Sequence, residues 1–193
     1  LGIGPIINEA ILAVEKLEIN NGTVISTTIG DKPAEGICGS GLVDLLAELR
    51  KSNLMNDLGV LSDNKQEFEF DSSNKMTISK AEISSLAQAK SANYCGQYIT
   101  LRKFGKSVDS LDYLYLAGGF ANYINSQNAI DIGFIANFPK EKIKKVGNAS
   151  LEGATLMLKS TELRARIEKI CSNIQHIELE TTPDFFEIFV EGC

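Results

Sequence analysis

The chain has no tryptophan, one histidine and four prolines among its 193 residues. It also lacks any excess of positive charge. Lys and Arg number 19 against 25 Asp and Glu, a net charge of −6. That balance argues against nucleic acid and against an anionic membrane as partners, because both demand a basic face. No apolar run approaches the roughly 20 residues of a membrane span, and no secretory leader opens the chain. A cytoplasmic location is expected. His176 stands beside Ile177 in an expected strand; a structural or surface role is expected for it, and no Ser-His-Asp order can be argued around it. The cysteines, Cys38, Cys95, Cys171 and Cys193, include no C-x-x-C pair, so neither a zinc site nor a cluster site is written in them. They are read as reduced thiols.

What remains is an ordinary globular composition, 44% hydrophobic, long enough for one sizeable core. The abrupt opening on Leu1 suggests a fragment or a processed chain. Val14–Ile19 and Thr23–Ile29 are β-branched runs around Asn21-Gly22, a strong hairpin signal. Ser40 stands where a helix N-cap would, ahead of Leu42, Leu45, Leu46 and Leu49 on one helical face. Residues 54–78 read as a small inserted β element, an exposed sub-lobe by its polarity, in which Phe68 and Phe70 alternate with acids. Ser79-Lys-Ala-Glu82 is a capping box opening a helix to about Phe104. Lys90 falls on that helix's apolar stripe, either snorkelling or aimed at a ligand. A strand over 111–116, helical character over 121–133, a strand over 142–146, helices over 147–159 and 162–171, a strand over 176–179 and a last helix over 183–190 complete the reading. Strands alternating with helices imply α/β layers with a partly parallel sheet, whose ligands bind outside the carboxyl ends of strands.

Three glycine-rich turns punctuate this order: Gly36–Gly41 (EGICGSG), Gly118-Gly119 before Phe120, and Gly147-Asn148. Glycine lets backbone approach a phosphate or a flat ring with no Cβ in the way. Each turn also has a plainer explanation: a tight entry to a helix, close strand-to-helix packing, and an αL asparagine, respectively. Gly105-Lys106-Ser107 lacks the first glycine and the preceding strand of a P-loop, and Gly39-Ser-Gly41-Leu-Val-Asp44 ends on Asp44 where a dinucleotide fingerprint needs glycine.

The motifs EGICGSGLVDLLAEL, ISKAEISSLAQAKSA, YLAGGFANYI, AIDIGFI and VGNASLEGA, with the tail HIELETTPDFFEIFVEG, together resemble the C-terminal part of the ATP-dependent reductive activators of corrinoid proteins. The likeness runs in order over about 34–192, and residues 1–13 fit it poorly. It implies that 1–193 is one C-terminal lobe of an actin-like, ribonuclease H-like ATPase fold: α/β, with a mixed sheet flanked by helices and the small insertion at 54–78. It implies a nucleotide site at Gly118, Gly119 and Phe120, resembling the superfamily's adenosine motif. Gly147-Asn148 would then lead into the connecting helix at the lobe hinge. Gly39, Ser40 and Gly41 would lie near the phosphates or at the lobe interface. Lys90 matches a lysine that packs near adenine in the chaperone branch.

The implied cofactors are ATP or ADP with Mg²⁺, completed by a lobe absent here, and a [2Fe–2S] cluster in the full-length protein. The implied partner is the corrinoid protein of a methyltransferase system, reduced from Co(II) to Co(I), and a homodimer is compatible with the family. No catalytic residue and no metal ligand is assigned within the chain, which would not be catalytically complete alone. Two other readings stand beside this one: the C-terminal half of a sugar or acyl kinase of the same superfamily, and a non-catalytic interaction lobe.

Overall fold

Strands β1 (Ala13–Asn20) and β2 (Thr23–Thr28) form the hairpin around Asn21-Gly22. Both turn residues take positive φ, 51° and 79°, as a two-residue type I′ connection requires. The computed structural model describes residues 12–193; the fit of residues 1–11 to the family lies outside the described residues. Val14 pairs with Thr28 and Lys16 with Thr27, so Glu15 is an extra residue, a bulge. Beyond it Leu17 and Ile19 point inward while Glu18 and Asn20 point outward. A two-residue strand, β3 (Gly36–Ile37), pairs in parallel with Ala13 and Val14 on the opposite edge of β1.

Past β3 that edge of β1 has no strand neighbour, and side chains of helix α1 (Gly39–Lys51) close it. The Leu17 N–H donates to Asp44 Oδ2 at 3.4 Å and the Ile19 N–H to Glu48 Oε2 at 3.0 Å. Residues i and i+4 of a helix lie about 6 Å apart along its axis, close to the roughly 6.7 Å between i and i+2 of a strand. One helix face thus offers two carboxylates at the spacing of two outward amides. Asp44 is buried, as is Asn128, whose Nδ2 donates to Asp44 Oδ1 at 2.7 Å. Lys51 Nζ donates to Asn128 Oδ1 at 2.6 Å and pairs with Glu48 and Asp131 at 3.3 and 3.5 Å. Burial pushes the Asp44 carboxyl above its ordinary 3.8, while hydrogen bonds from Asn128 and Leu17 pull it down. The native state therefore holds this proton more tightly than the unfolded chain. The group's contribution to stability falls as pH rises through that raised value.

The expectation that Ser40 caps α1 is corrected. The helix begins at Gly39, with Cys38 at the N-cap and no side-chain cap bond. Ser40 is buried, and its hydroxyl donates at 3.0 Å to the Glu15 carbonyl, at the bulge. A Cβ on Gly41 would land on the Val14 carbonyl oxygen, which already accepts the Cys38 N–H at 3.0 Å. Ser40 and Gly41 bring α1 down onto β1.

The inserted element is an antiparallel hairpin, β4 (Glu67–Asp71) and β5 (Met76–Ser79). Its acids face outward, but Phe70 and Ile78 are buried in the main core with Met55, Leu61, Leu17 and Leu45. Helix α2 (Lys80–Lys103) starts at the expected capping box: Ser79 Oγ accepts from the Glu82 N–H at 3.3 Å, and Glu82 Oε2 accepts from the Ser79 N–H at 2.7 Å. The helix joins two cores. Ile83 enters the main one, while Cys95 and Ile99 pack with Ile188 of the last helix, given below as α7. The strand expected over 176–179 is absent. Residues 174–178 are irregular, and Leu179–Thr181 is a 3₁₀ turn. Ile177 and Leu179 pack on the α2 cluster, and among the described residues no strand pairs with them.

The remaining elements are β6 (Leu114–Leu116), α3 (Gly119–Tyr123), α4 (Ser126–Asp131), β7 (Ile143–Lys145), α5 (Ala149–Lys159), α6 (Thr161–Cys171) and α7 (Phe185–Glu191). The helical run expected over 121–133 is two helices. Asn125 interrupts it because its side chain caps α4, accepting the N–H groups of Gln127 and Asn128. Gly133, at φ 75°, stops the second. The architecture is α/β: among the described residues, three small sheets flanked by helices, one mixed, one antiparallel, and one, β6–β7, parallel.

The carboxylate edge makes a local prediction. Asp44→Ala leaves the Leu17 N–H and the Asn128 amide without an acceptor, a loss of about 1–3 kcal/mol. Amide exchange at Leu17 accelerates roughly tenfold or more, while exchange within β4–β5 stays the same.

Candidate functional site

Strands β6 and β7 are parallel, with Leu114, Tyr115 and Leu116 opposite Ile143, Lys144 and Lys145. Parallel register carries both chains to the same end of the sheet, so the turns that leave them are neighbours. The Val146 N–H donates to the Leu116 carbonyl at 3.0 Å, and the Gly118 N–H donates to the Gly147 carbonyl at 2.6 Å. Two of the three glycine turns are thereby joined by a main-chain bond. Gly118 has φ 101°, outside the reach of an ordinary L residue. A Cβ at Gly118 or Gly119 would meet nothing within 4 Å. The bare backbone of this turn faces open space.

Helix α3 is only five residues long and is held at both ends by β7 and the turn that leaves it. Its start carries the Gly118–Gly147 bond. Its end is tied by Lys145 Nζ, which donates to the carbonyls of Asn122 and Ile124 at 3.0 and 2.6 Å. Asn148 is exposed, and its side chain caps α5 by accepting the Leu151 N–H at 3.0 Å. The αL residue of this turn is Gly147, at φ 66°, and not the asparagine.

Phe120 stands at the mouth of the turn, 44% exposed. Its ring meets Phe134 edge-on, 5.8 Å between centroids at 86°. The Phe134 carbonyl accepts from Asn93 Nδ2 and, at 3.1 Å, from Gln97 Nε2, so α2 anchors this wall. The ring also lies against Gly39, at the start of α1. The third glycine turn therefore reaches the other two through Phe120.

Lys90 is not brought to these turns by any hydrogen bond. Its Nζ donates to the Cys193 carbonyl, and its charged neighbours include Arg50 and Asp57, near the far end of α1 from Gly39. Burial, with Arg50 adding to it, lowers its pKa below the ordinary 10.5. A polar cavity of about 650 Å³ is lined by Asn122 and Tyr123 of α3 and by Asp44, Glu48, Lys51 and Lys145. These last four side chains are already engaged with one another, with Asn128 or with main-chain groups. Among the described residues all four cysteines are free, and no three His, Cys, Asp or Glu side chains gather to hold a metal.

A family model of the C-terminal domain of RACo, the ASKHA domain, matches residues 8–193. The chain belongs to this family. It is 28% identical over 202 residues to the corrinoid activation enzyme RamQ of Eubacterium limosum, covering 92% of the chain and 34% of that protein. A solved reductive activator for corrinoid, iron–sulfur protein superposes with a TM-score of 0.83 at 30% identity, over 98% of the chain and 33% of the solved one. The chain spans about a third of the length of these relatives. The ASKHA fold expected from the motifs is the one observed.

Of the residues expected at a nucleotide site, the fold brings Gly118, Gly119, Phe120, Gly147 and Asn148 together. Sequence reasoning missed Phe134 and the amides Asn93 and Gln97 behind it. The spacing of Asn93 and Gln97, one helical turn apart on α2, was the available signal.

The role of Asn148 as a cap is testable. Asn148→Ala removes about 1 kcal/mol from the start of α5, and exchange of the Leu151 amide rises roughly fivefold. Asn148→Asp, which keeps the acceptor, leaves that amide close to the wild-type rate.

Proposed function

We propose that this chain is the nucleotide-side half of an ATP-dependent activator that returns corrinoid proteins from Co(II) to Co(I). The relatives are named for corrinoid activation; ATP and the cobalt step are the reading proposed here. The observation that carries it is the joined pair of glycine turns at the carboxyl ends of two parallel strands, where open α/β sheets place their ligands.

In this reading the Gly118-Gly119 backbone lies against the adenosine and α-phosphate. Any side chain there would enter space the nucleotide fills. Phe120 walls one side, and Gly147-Asn148 the other. Gly39, Ser40 and Gly41 act from behind: the last two hold α1 on β1, and Gly39 supports Phe120. Lys90 takes no part. These turns contribute no carboxylate, so the Mg²⁺ ligands belong to the other lobe. Bound ATP supplies binding energy that favours one arrangement of the two lobes over another. Asn148 caps α5, and α5 has no buried residue among its own, as suits a helix that moves against a second lobe.

The electron comes from a [2Fe–2S] cluster carried elsewhere in the full-length protein. When present, that cluster would supply the single electron that takes Co(II) to Co(I). The partner is a corrinoid protein of a methyltransferase system.

Gly118→Val in the full-length protein tests the site. A Val at φ 101° is strained, and its side chain occupies the proposed adenosine surface. ATP affinity measured by calorimetry falls at least about tenfold, and ATP-dependent loss of the Co(II) signal falls with it. Unchanged ATP affinity would place the nucleotide elsewhere.

A further inference from the structure

The backbone at Gly39 does not itself call for glycine. Its φ is not in the left-handed region, unlike Gly118, Gly133 and Gly147. It is the first residue of α1, where alanine would cost less conformational entropy than glycine. Something other than the chain's own geometry must want the missing side chain. A Cβ built on Gly39 would stand 2.8 Å from Phe120 Cε2 and 3.0 Å from Cδ2, closer than non-bonded carbons approach. To make room the half-exposed ring must leave this seat, and with it the edge-on contact it makes with Phe134, whose carbonyl is held by Gln97.

Gly41 offers a contrast two residues on. A Cβ there meets main chain, the Val14 carbonyl, so substitution would lift the helix off β1. At Gly39 the obstructed neighbour is one side chain. Phe120 is the second residue of α3, directly after Gly118-Gly119, and the Gly118 carbonyl accepts the Asn122 N–H at 3.3 Å. A displaced ring therefore pulls on the turn itself.

We infer that Gly39 is a positioning residue: its bare Cα is the seat of the Phe120 ring, and through that ring the start of α1 sets the Gly118–Gly119 backbone. Where this concerns ligand affinity it rests on the nucleotide reading above. The mechanical link does not.

The test is a double-mutant comparison in the full-length protein with two readouts. Without nucleotide, Gly39→Ala accelerates amide exchange across residues 118–122, and in a Phe120→Leu background the same substitution changes that exchange little. With ADP, Gly39→Ala lowers affinity about tenfold in the wild-type background and less than about twofold in the Phe120→Leu background. Exchange that does not respond to Gly39→Ala, or that responds equally in both backgrounds, overturns the link. If the wild-type protein binds no ADP, the nucleotide reading falls, and the exchange comparison still decides the link. Gly39→Ala is a single methyl at the exposed start of a helix, so a collapse of exchange protection throughout β1 and α1 would also contradict it, since the obstruction would then be the fold and not the ring.

Discussion

The hydrogen bond from the Gly118 N–H to the Gly147 carbonyl is the constraint on which the candidate site depends. It exists because β6 and β7 run parallel and in register, so their exit turns leave at the same level. Each turn then needs a conformation that suits glycine: φ 101° at Gly118 and φ 66° at Gly147. Lys145, one residue beyond Lys144 on β7, ties the far end of α3 back to the strand. A five-residue helix would be marginal alone; here both ends are fastened to one neighbouring segment. The backbone surface that results at Gly118 and Gly119 is bare and open.

A second constraint, less visible, seats α1. A bulge at Glu15 leaves a carbonyl that Ser40 fills, Gly41 gives the helix close approach to Val14, and Asp44 and Glu48 take the place of a strand on the exposed edge of β1. Unpaired edges invite further pairing, and here the donors are spent on carboxylates. The same helix, so fixed, presents Gly39 to Phe120. The packing of the mixed sheet and the shape of the glycine turn are thus connected through one ring.

Much of this was legible in the sequence, for physical reasons. Asn21-Gly22 has few alternatives to a type I′ hairpin, and Ser79-x-x-Glu82 satisfies two helix-end amides at once, so both are local and both are found. The glycines at 118 and 147 stand out because little else adopts their positive φ. What was misread depended on partners distant in the chain. Ser40 looks like a cap until the Glu15 carbonyl claims its hydroxyl. The run from His176 to Leu179 looks like a strand until Ile177 and Leu179 find a helix pair and no strand. The hairpin at 67–79 looks exposed by its acids, yet Phe70 and Ile78 face the main core. Lys90 sits on an apolar stripe, as read, and donates to the Cys193 carbonyl 103 residues away, a partner no local pattern shows. Periodicity sees a residue's own element and not what that element is packed against.

The most direct test of the account is a crystal structure of the full-length protein with a non-hydrolysable ATP analogue bound. The account predicts the adenosine in van der Waals contact with the backbone of Gly118 and Gly119, beside Phe120, with Gly147 across the turn. An analogue seated elsewhere, with this glycine surface still facing solvent or packed against protein, would contradict it.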